Sequence, residues 1–140
     1  MAAHSNPMDR FGFLIGTWHL AYRLPEGTGT GTFEKVLDSR YVFFNYEATS
    51  PDGRKGGAHG IFAWDPDNKI YRYWWFEDSG AYLQATCNFI NDNTLMMNWH
   101  DTLLIQTFRR TGPDSVVLEM KEPDQKGEYK IVLLVELTRR

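Results

Sequence analysis

Apolar and polar residues alternate at every second position along most of the chain, the period of a strand with one buried face. Trp18, Leu20, Tyr22 and Leu24 oppose His19, Ala21 and Arg23, and Val42, Phe44, Tyr46 and Ala48 oppose Tyr41, Phe43, Asn45 and Glu47. Leu83, Ala85, Cys87 and Phe89 oppose Tyr82, Gln84, Thr86 and Asn88 in the same way, and Leu95, Met97 and Trp99 oppose Met96, Asn98 and His100. Near the C-terminus Ile131, Leu133, Val135 and Leu137 oppose Lys130, Val132, Leu134, Glu136 and Thr138. The first-named set is the more apolar each time and is expected to face the core.

The pattern gives ten strand candidates, at residues 17–24, 30–38, 40–49, 55–64, 69–77, 81–90, 94–100, 103–110, 115–122 and 129–138. Pro25-Glu26-Gly27, Pro51-Asp52-Gly53, Asp65-Pro66-Asp67-Asn68, Asp78-Ser79-Gly80 and Gly112-Pro113-Asp114 separate several of them with residues suited to tight turns. Short links between successive strands imply antiparallel meander pairing. The expected fold is all-β: one antiparallel barrel of about ten strands over residues 1–140. Only the N-terminus departs from this period. Ser5-Asn6-Pro7 reads as a helix start, and Phe11, Leu14 and Ile15 follow at helical spacing before Gly16, which gives a short helix at about 7–15.

The segment Lys69 to Gly80, KIYRYWWFEDSG, has aromatics on both faces. Tyr71, Tyr73 and Trp75 are expected inside, because Arg72 and Lys69 favour water on the other side. Trp74 and Phe76 then stand outside, as do Tyr41, Phe43 and Ile61 on neighbouring strands. Contiguous exposed aromatics call for cover. A homodimer through Tyr41, Phe43, Ile61, Trp74 and Phe76 is therefore expected, unless the helix or a loop covers this face.

Composition narrows the partners. The net charge of −3 and pI near 5.8 leave no basic footprint for nucleic acid. No apolar run approaches the roughly 18 residues of a membrane span, and the N-terminal residues lack the pattern of a secretory signal. No nucleic-acid or membrane partner is expected, and the expected location is cytoplasmic. Cys87 is the single cysteine, which excludes an intrachain disulfide. Aromatics make up 15% of the chain, so the core is expected to be built largely from rings.

Phe13-Leu14-Ile15-Gly16-Thr17-Trp18 runs from the helix into Gly-x-Trp and a strand. This order resembles lipocalin-like (calycin) barrels, in which Gly allows the tight passage and Trp plugs the barrel floor. That resemblance implies barrel closure by Gly16 and Trp18, with Arg139 or Arg140 stacked on the indole as a cation–π pair. A longer match extends it: GTGTGTF at 27–33, VLDSRYVFFNYEA at 36–48 and GGAHGIFAWDPDNKIYRYWWFEDSG at 56–80. Together these resemble the bacterial family catalogued as domain of unknown function 1579. Ser39, Trp64 and the Glu77-Asp78 pair depart from that family's pattern. The resemblance implies a calycin-type barrel and no particular activity.

The chemistry-bearing residues are few. His4, His19, His59 and His100 show no metal-ligand spacing. His59, set between Gly57 and Gly60, is the histidine best placed for a pocket, against a plain hydrogen-bonded strand histidine. Haem-binding nitrobindins are also Gly-x-Trp barrels and use a histidine from a late strand. Residues 115–122 and 129–140 contain none, so neither haem nor another cofactor is expected. Gly27 to Gly31 precedes a strand, so it offers no helix N-terminus to a phosphate. Arg110 shares a face with Leu104, Gln106 and Phe108, and reads either as an inward anion anchor or as a solvated strand end.

The leading expectation is an interior site for a small apolar or aromatic molecule. Its wall would comprise Tyr22, Phe44, Tyr46, His59, Phe62, Trp64, Tyr73, Trp75, Met97 and Trp99, with Ala58, Gly60 and Ala85 leaving room. The same rings could instead pack the barrel solid. Two alternatives stand beside binding. One is a decarboxylase- or isomerase-type enzyme using Tyr22, Tyr46 and Tyr73 with Glu47, by resemblance to the phenolic acid decarboxylases. The other is an interaction protein acting through its dimer surface.

Overall fold

The computed structural model describes residues 6–140, so His4 and Ser5 lie outside the described residues. A 3-10 helix (Pro7–Phe13) leads into ten strands: β1 (Gly16–Leu24), β2 (Glu26–Val36), β3 (Tyr41–Thr49), β4 (Lys55–Asp65), β5 (Ile70–Glu77), β6 (Tyr82–Asn91), β7 (Thr94–Trp99), β8 (Ile105–Gly112), β9 (Ser115–Pro123) and β10 (Tyr129–Arg139). Each strand pairs antiparallel with its sequence neighbours, and β1 pairs with β10 to close the barrel. Closure leaves no free edge, so every strand has a ladder on both sides. Successive turns fall at alternate ends. One end carries the helix; the other carries the β1–β2, β3–β4, β5–β6, β7–β8 and β9–β10 turns.

The helix end is sealed. Met8, Phe11 and Leu14 recur every third residue, the 3-10 period, and all three are buried. The expected short helix is therefore of the 3-10 type, and it ends at Phe13 rather than at about residue 15. Asn6 caps it by accepting from the Met8 N–H at 3.0 Å, and its amide nitrogen donates to the Ser39 carbonyl at 2.8 Å. Phe11 lies 4.8 Å from Phe62, 5.2 Å from Tyr71 and 5.0 Å from Phe89, centroid to centroid. Burying that ring completely contributes roughly 1.5–3 kcal/mol.

Trp18 is fully buried beneath the helix and donates its indole N–H to the Leu14 carbonyl at 2.8 Å. The Arg139 guanidinium lies 4.3 Å from the indole centroid. It donates to the carbonyls of Phe13, at 3.1 Å, and Ile15, and its Nε donates to Asp114 at 3.1 Å. Gly16 has φ +131°, and a Cβ there would stand 2.5 Å from the guanidinium, so both backbone and space require glycine.

Several sequence expectations shift. β2 begins at Glu26 rather than residue 30. Gly27, Gly29 and Gly31 lie opposite Tyr22, Leu20 and Trp18, so the glycine repeat is the inward face of a strand. Residues 37–39 form a turn in the left-handed region, with φ of 52°, 61° and 58°, which ends β2 at Val36. Leu24 and Ile131 are exposed although their period points inward. A register shift lies beside each, and both stand at the open end, where no core remains to cover them.

Candidate functional site

The barrel interior divides into two halves. Toward the helix, Phe11, Phe62, Tyr71, Phe89, Leu95 and Met97 belong to one buried cluster, and the Tyr71 hydroxyl donates to the Pro7 carbonyl at 2.6 Å. Above Tyr73 the interior is hollow. A cavity of about 340 Å³ opens toward the end opposite the helix. Aromatic walls come from Tyr22 on β1, Phe44 and Tyr46 on β3, Tyr73 and Trp75 on β5, and Trp99 on β7. Aliphatic walls come from Leu118 and Met120 on β9 and Leu133, Val135 and Leu137 on β10.

Ring packing fixes the aromatic wall. Phe33, Phe44, Tyr46 and Trp75 form a continuous stack, with centroid separations of 4.1, 5.8 and 5.3 Å. Trp99 meets the edge of this stack, 6.5 Å from Trp75 and 5.7 Å from Tyr73. Tyr73 is held against Phe62 at 4.1 Å. Its ring and hydroxyl occupy the space that a side chain at residue 60 would fill, so Gly60 is the notch that seats it.

Two polar residues set the electrostatics. Gln106 is buried, and its Oε1 accepts from the Trp99 indole N–H at 3.1 Å. Glu77 stands at the mouth, where its carboxylate accepts from the Trp75 indole N–H at 3.0 Å and from the Ser79 hydroxyl at 3.1 Å. Burial pushes the phenols of Tyr22, Tyr46 and Tyr73 up from their ordinary value of 10.0. For Tyr46 the nearby charges of Glu77 and Asp78 push in the same direction. All three remain neutral hydroxyls at physiological pH. The Tyr73 hydroxyl is seated against Gly60, while Tyr22 and Tyr46 line the cavity beside it.

Of the expected wall residues, Tyr22, Phe44, Tyr46, Tyr73, Trp75 and Trp99 are brought together. Phe62, Met97 and Trp64 are not. Phe62 and Met97 are buried in the packed half, and Trp64 packs against Tyr71 in a tilted pair at 4.7 Å. His59 is corrected outright: it points out of the barrel and bonds Asn45 on β3. Its neighbours Ala58 and Gly60 face inward, so strand alternation forces it outside. Glu47, adjacent to inward Tyr46, is exposed for the same reason. Arg110 is exposed and donates to the Gly112 carbonyl at 3.1 Å, so it is the solvated strand end.

The sequence reading overlooked Glu77 and Gln106. Each shares the inward parity of its strand, with Trp75 and Phe108 respectively, and that parity was the available signal. Among the described residues, no group of His, Cys, Asp or Glu is arranged to hold a metal ion. Among the described residues no arginine lines the cavity, so the arginine of a decarboxylase-type site has no counterpart among them.

The outward aromatics form a lateral row: Phe43, Ile61 and Trp74 are register partners across β3, β4 and β5. All three are half-buried, while Tyr41 and Phe76 are exposed.

The chain is similar to Rv2717c from M. tuberculosis. The crystal structure of that protein matches with a TM-score of 0.66 at 13% identity, over 96% of this chain and 98% of that one. A second solved structure, EF1p2_mFAP2b bound to DFHBI, matches with a TM-score of 0.50 at 12% identity, over 95% of this chain and 98% of that one. At these identities the likeness establishes the fold, a closed calycin-like antiparallel barrel. No protein-family model matches the chain. No curated protein matches it.

Proposed function

We propose that the protein binds a small apolar or aromatic molecule in the open half of its barrel. The observation behind this reading is the cavity of about 340 Å³, hollow above a tightly packed floor. Protein interiors ordinarily hold few voids larger than a water molecule, and small-molecule pockets begin near 300 Å³. Its aromatic and aliphatic walls favour an apolar guest through area removed from water. A barrel of the same fold described as bound to DFHBI is consistent with such a use of this architecture. The resemblance of residues 13–86 to the domain of unknown function 1579 family is part of the same proposal, as is a cytoplasmic location.

Trp75 and Trp99 both line the cavity, so their fluorescence reports occupancy. Titration with neutral aromatic probes is expected to give a saturable change. Leu133→Trp, which fills the mouth from β10, is expected to abolish it without unfolding the barrel. No saturable response across a panel of neutral aromatics would refute the reading.

A second copy of the chain is the proposed cover for the outer row of Phe43, Ile61 and Trp74, because these side chains are contiguous by strand register. Sedimentation should show a dimer that Trp74→Glu converts to a monomer. An unchanged sedimentation coefficient would rule that face out.

A further inference from the structure

We infer that the preferred ligand of the cavity is an organic cation, an aromatic or alkyl amine or quaternary ammonium, held between the ring walls with its charge toward Glu77. This rests on the binding reading above and narrows it to a chemical class. Among the described residues, Glu77 is the one charged side chain that lines the cavity; no lysine, arginine or histidine does. An anionic guest would lose its hydration and meet no compensating charge, a penalty of several kcal/mol. A cation would meet a carboxylate, electron-rich ring faces and the oxygen lone pairs of tyrosine hydroxyls.

The surroundings of Glu77 sharpen the argument. Its carboxylate is fixed in place by the Trp75 indole and the Ser79 hydroxyl, so little ordering remains to be done on binding. Four surface cations are committed to other carboxylates, while Lys55 and His59 border a second groove that Glu77 and Asp78 also line. Arg23 pairs with Glu136 at 2.9 Å, Arg54 with Asp52 at 2.7 Å, Lys121 with Glu119 at 3.9 Å and Lys130 with Asp124 at 3.4 Å. Glu77 has no ion-pair partner among the described residues. The raised phenol of Tyr46 is the same field sensed by a second group, since Glu77 and Asp78 both add to the effect of burial there.

The test compares phenyltrimethylammonium with its neutral carbon isostere tert-butylbenzene, which matches it in shape and lacks the charge. Binding is read by tryptophan fluorescence or calorimetry at low salt. The cation is expected to bind at least about tenfold more tightly than the isostere. Glu77→Gln is expected to bring that ratio close to one. If the isostere binds as well as the cation, or if Glu77→Gln leaves the ratio unchanged, the cation assignment is overturned while the pocket stands. If neither molecule binds the unmodified protein, the pocket reading fails and the assignment fails with it.

Discussion

Gly60→Ala is the perturbation that most directly probes how the cavity is built. A strand interior ordinarily gains about 0.5–1 kcal/mol when glycine becomes alanine, because the unfolded chain loses freedom. Here the new Cβ would stand 2.5 Å from Cε1 of Tyr73 and would overlap its Cζ and hydroxyl. Ordinary carbon contacts lie at about 3.5–4.0 Å, so the ring must retreat by about an ångström or more. Phe62 closes one direction at 4.1 Å and Trp99 another at 5.7 Å, which leaves the cavity as the way out. Overpacking of this kind costs about 1–3 kcal/mol, so a net loss of about 1–2 kcal/mol is expected after the backbone gain is offset. Urea unfolding should show a lower midpoint with an unchanged slope. The same substitution should weaken binding of any cavity probe, because the displaced ring enters its space. In a Tyr73→Leu background, which lacks the ring, Gly60→Ala should recover the ordinary gain of about 0.5–1 kcal/mol, a coupling of more than about 1 kcal/mol. A midpoint that stays level or rises in the single variant would mean that the Tyr73 ring is not wedged against residue 60.

Other consequences follow from the sealed end and the buried groups. Arg139→Met removes the cation–π contact and the donors to Phe13 and Ile15, and should cost about 2 kcal/mol in thermal or urea unfolding. Burial pushes the Cys87 thiol up, so thiol reagents should label it only as fast as the barrel opens, and labelling rate should track unfolding across denaturant. The phenols of Tyr22, Tyr46 and Tyr73 have folded values above 10.0, so their contribution to stability is complete below pH 10 and is lost as pH rises beyond it. Alkaline titration should therefore show these phenols ionising together with loss of the fold, rather than as independent exposed groups.

The strand order and most faces were legible because a barrel strand obeys a strict two-residue period, and a slip of one position would expose Phe44, Phe62 or Leu137. The same rule, applied to β4, decides His59: once Ala58, Gly60 and Phe62 face inward, His59 cannot. The glycine repeat at 27–31 was harder to read, because glycine signals turns, yet here its missing side chains form the inner face of β2 beside Phe44. Glu77 was hidden by its charge, since a carboxylate at a strand end ordinarily belongs to solvent; it is exposed here too, and the indole donor of Trp75 two residues earlier holds it at the rim of the cavity. The division of the interior had no local signal at all. Phe62 and Phe44 look alike in sequence, but Phe11 of the helix reaches Phe62 and fills the lower half, and nothing fills the upper half. That difference is made by chain segments about fifty residues apart, which no periodicity records.

Native mass spectrometry of the purified protein, followed by denaturation and identification of what is released, reads the occupant of the cavity itself. One small molecule per chain is expected, apolar in body and carrying an amine or quaternary ammonium. A bare chain mass, together with tryptophan fluorescence unmoved by phenyltrimethylammonium and tert-butylbenzene alike, would contradict it.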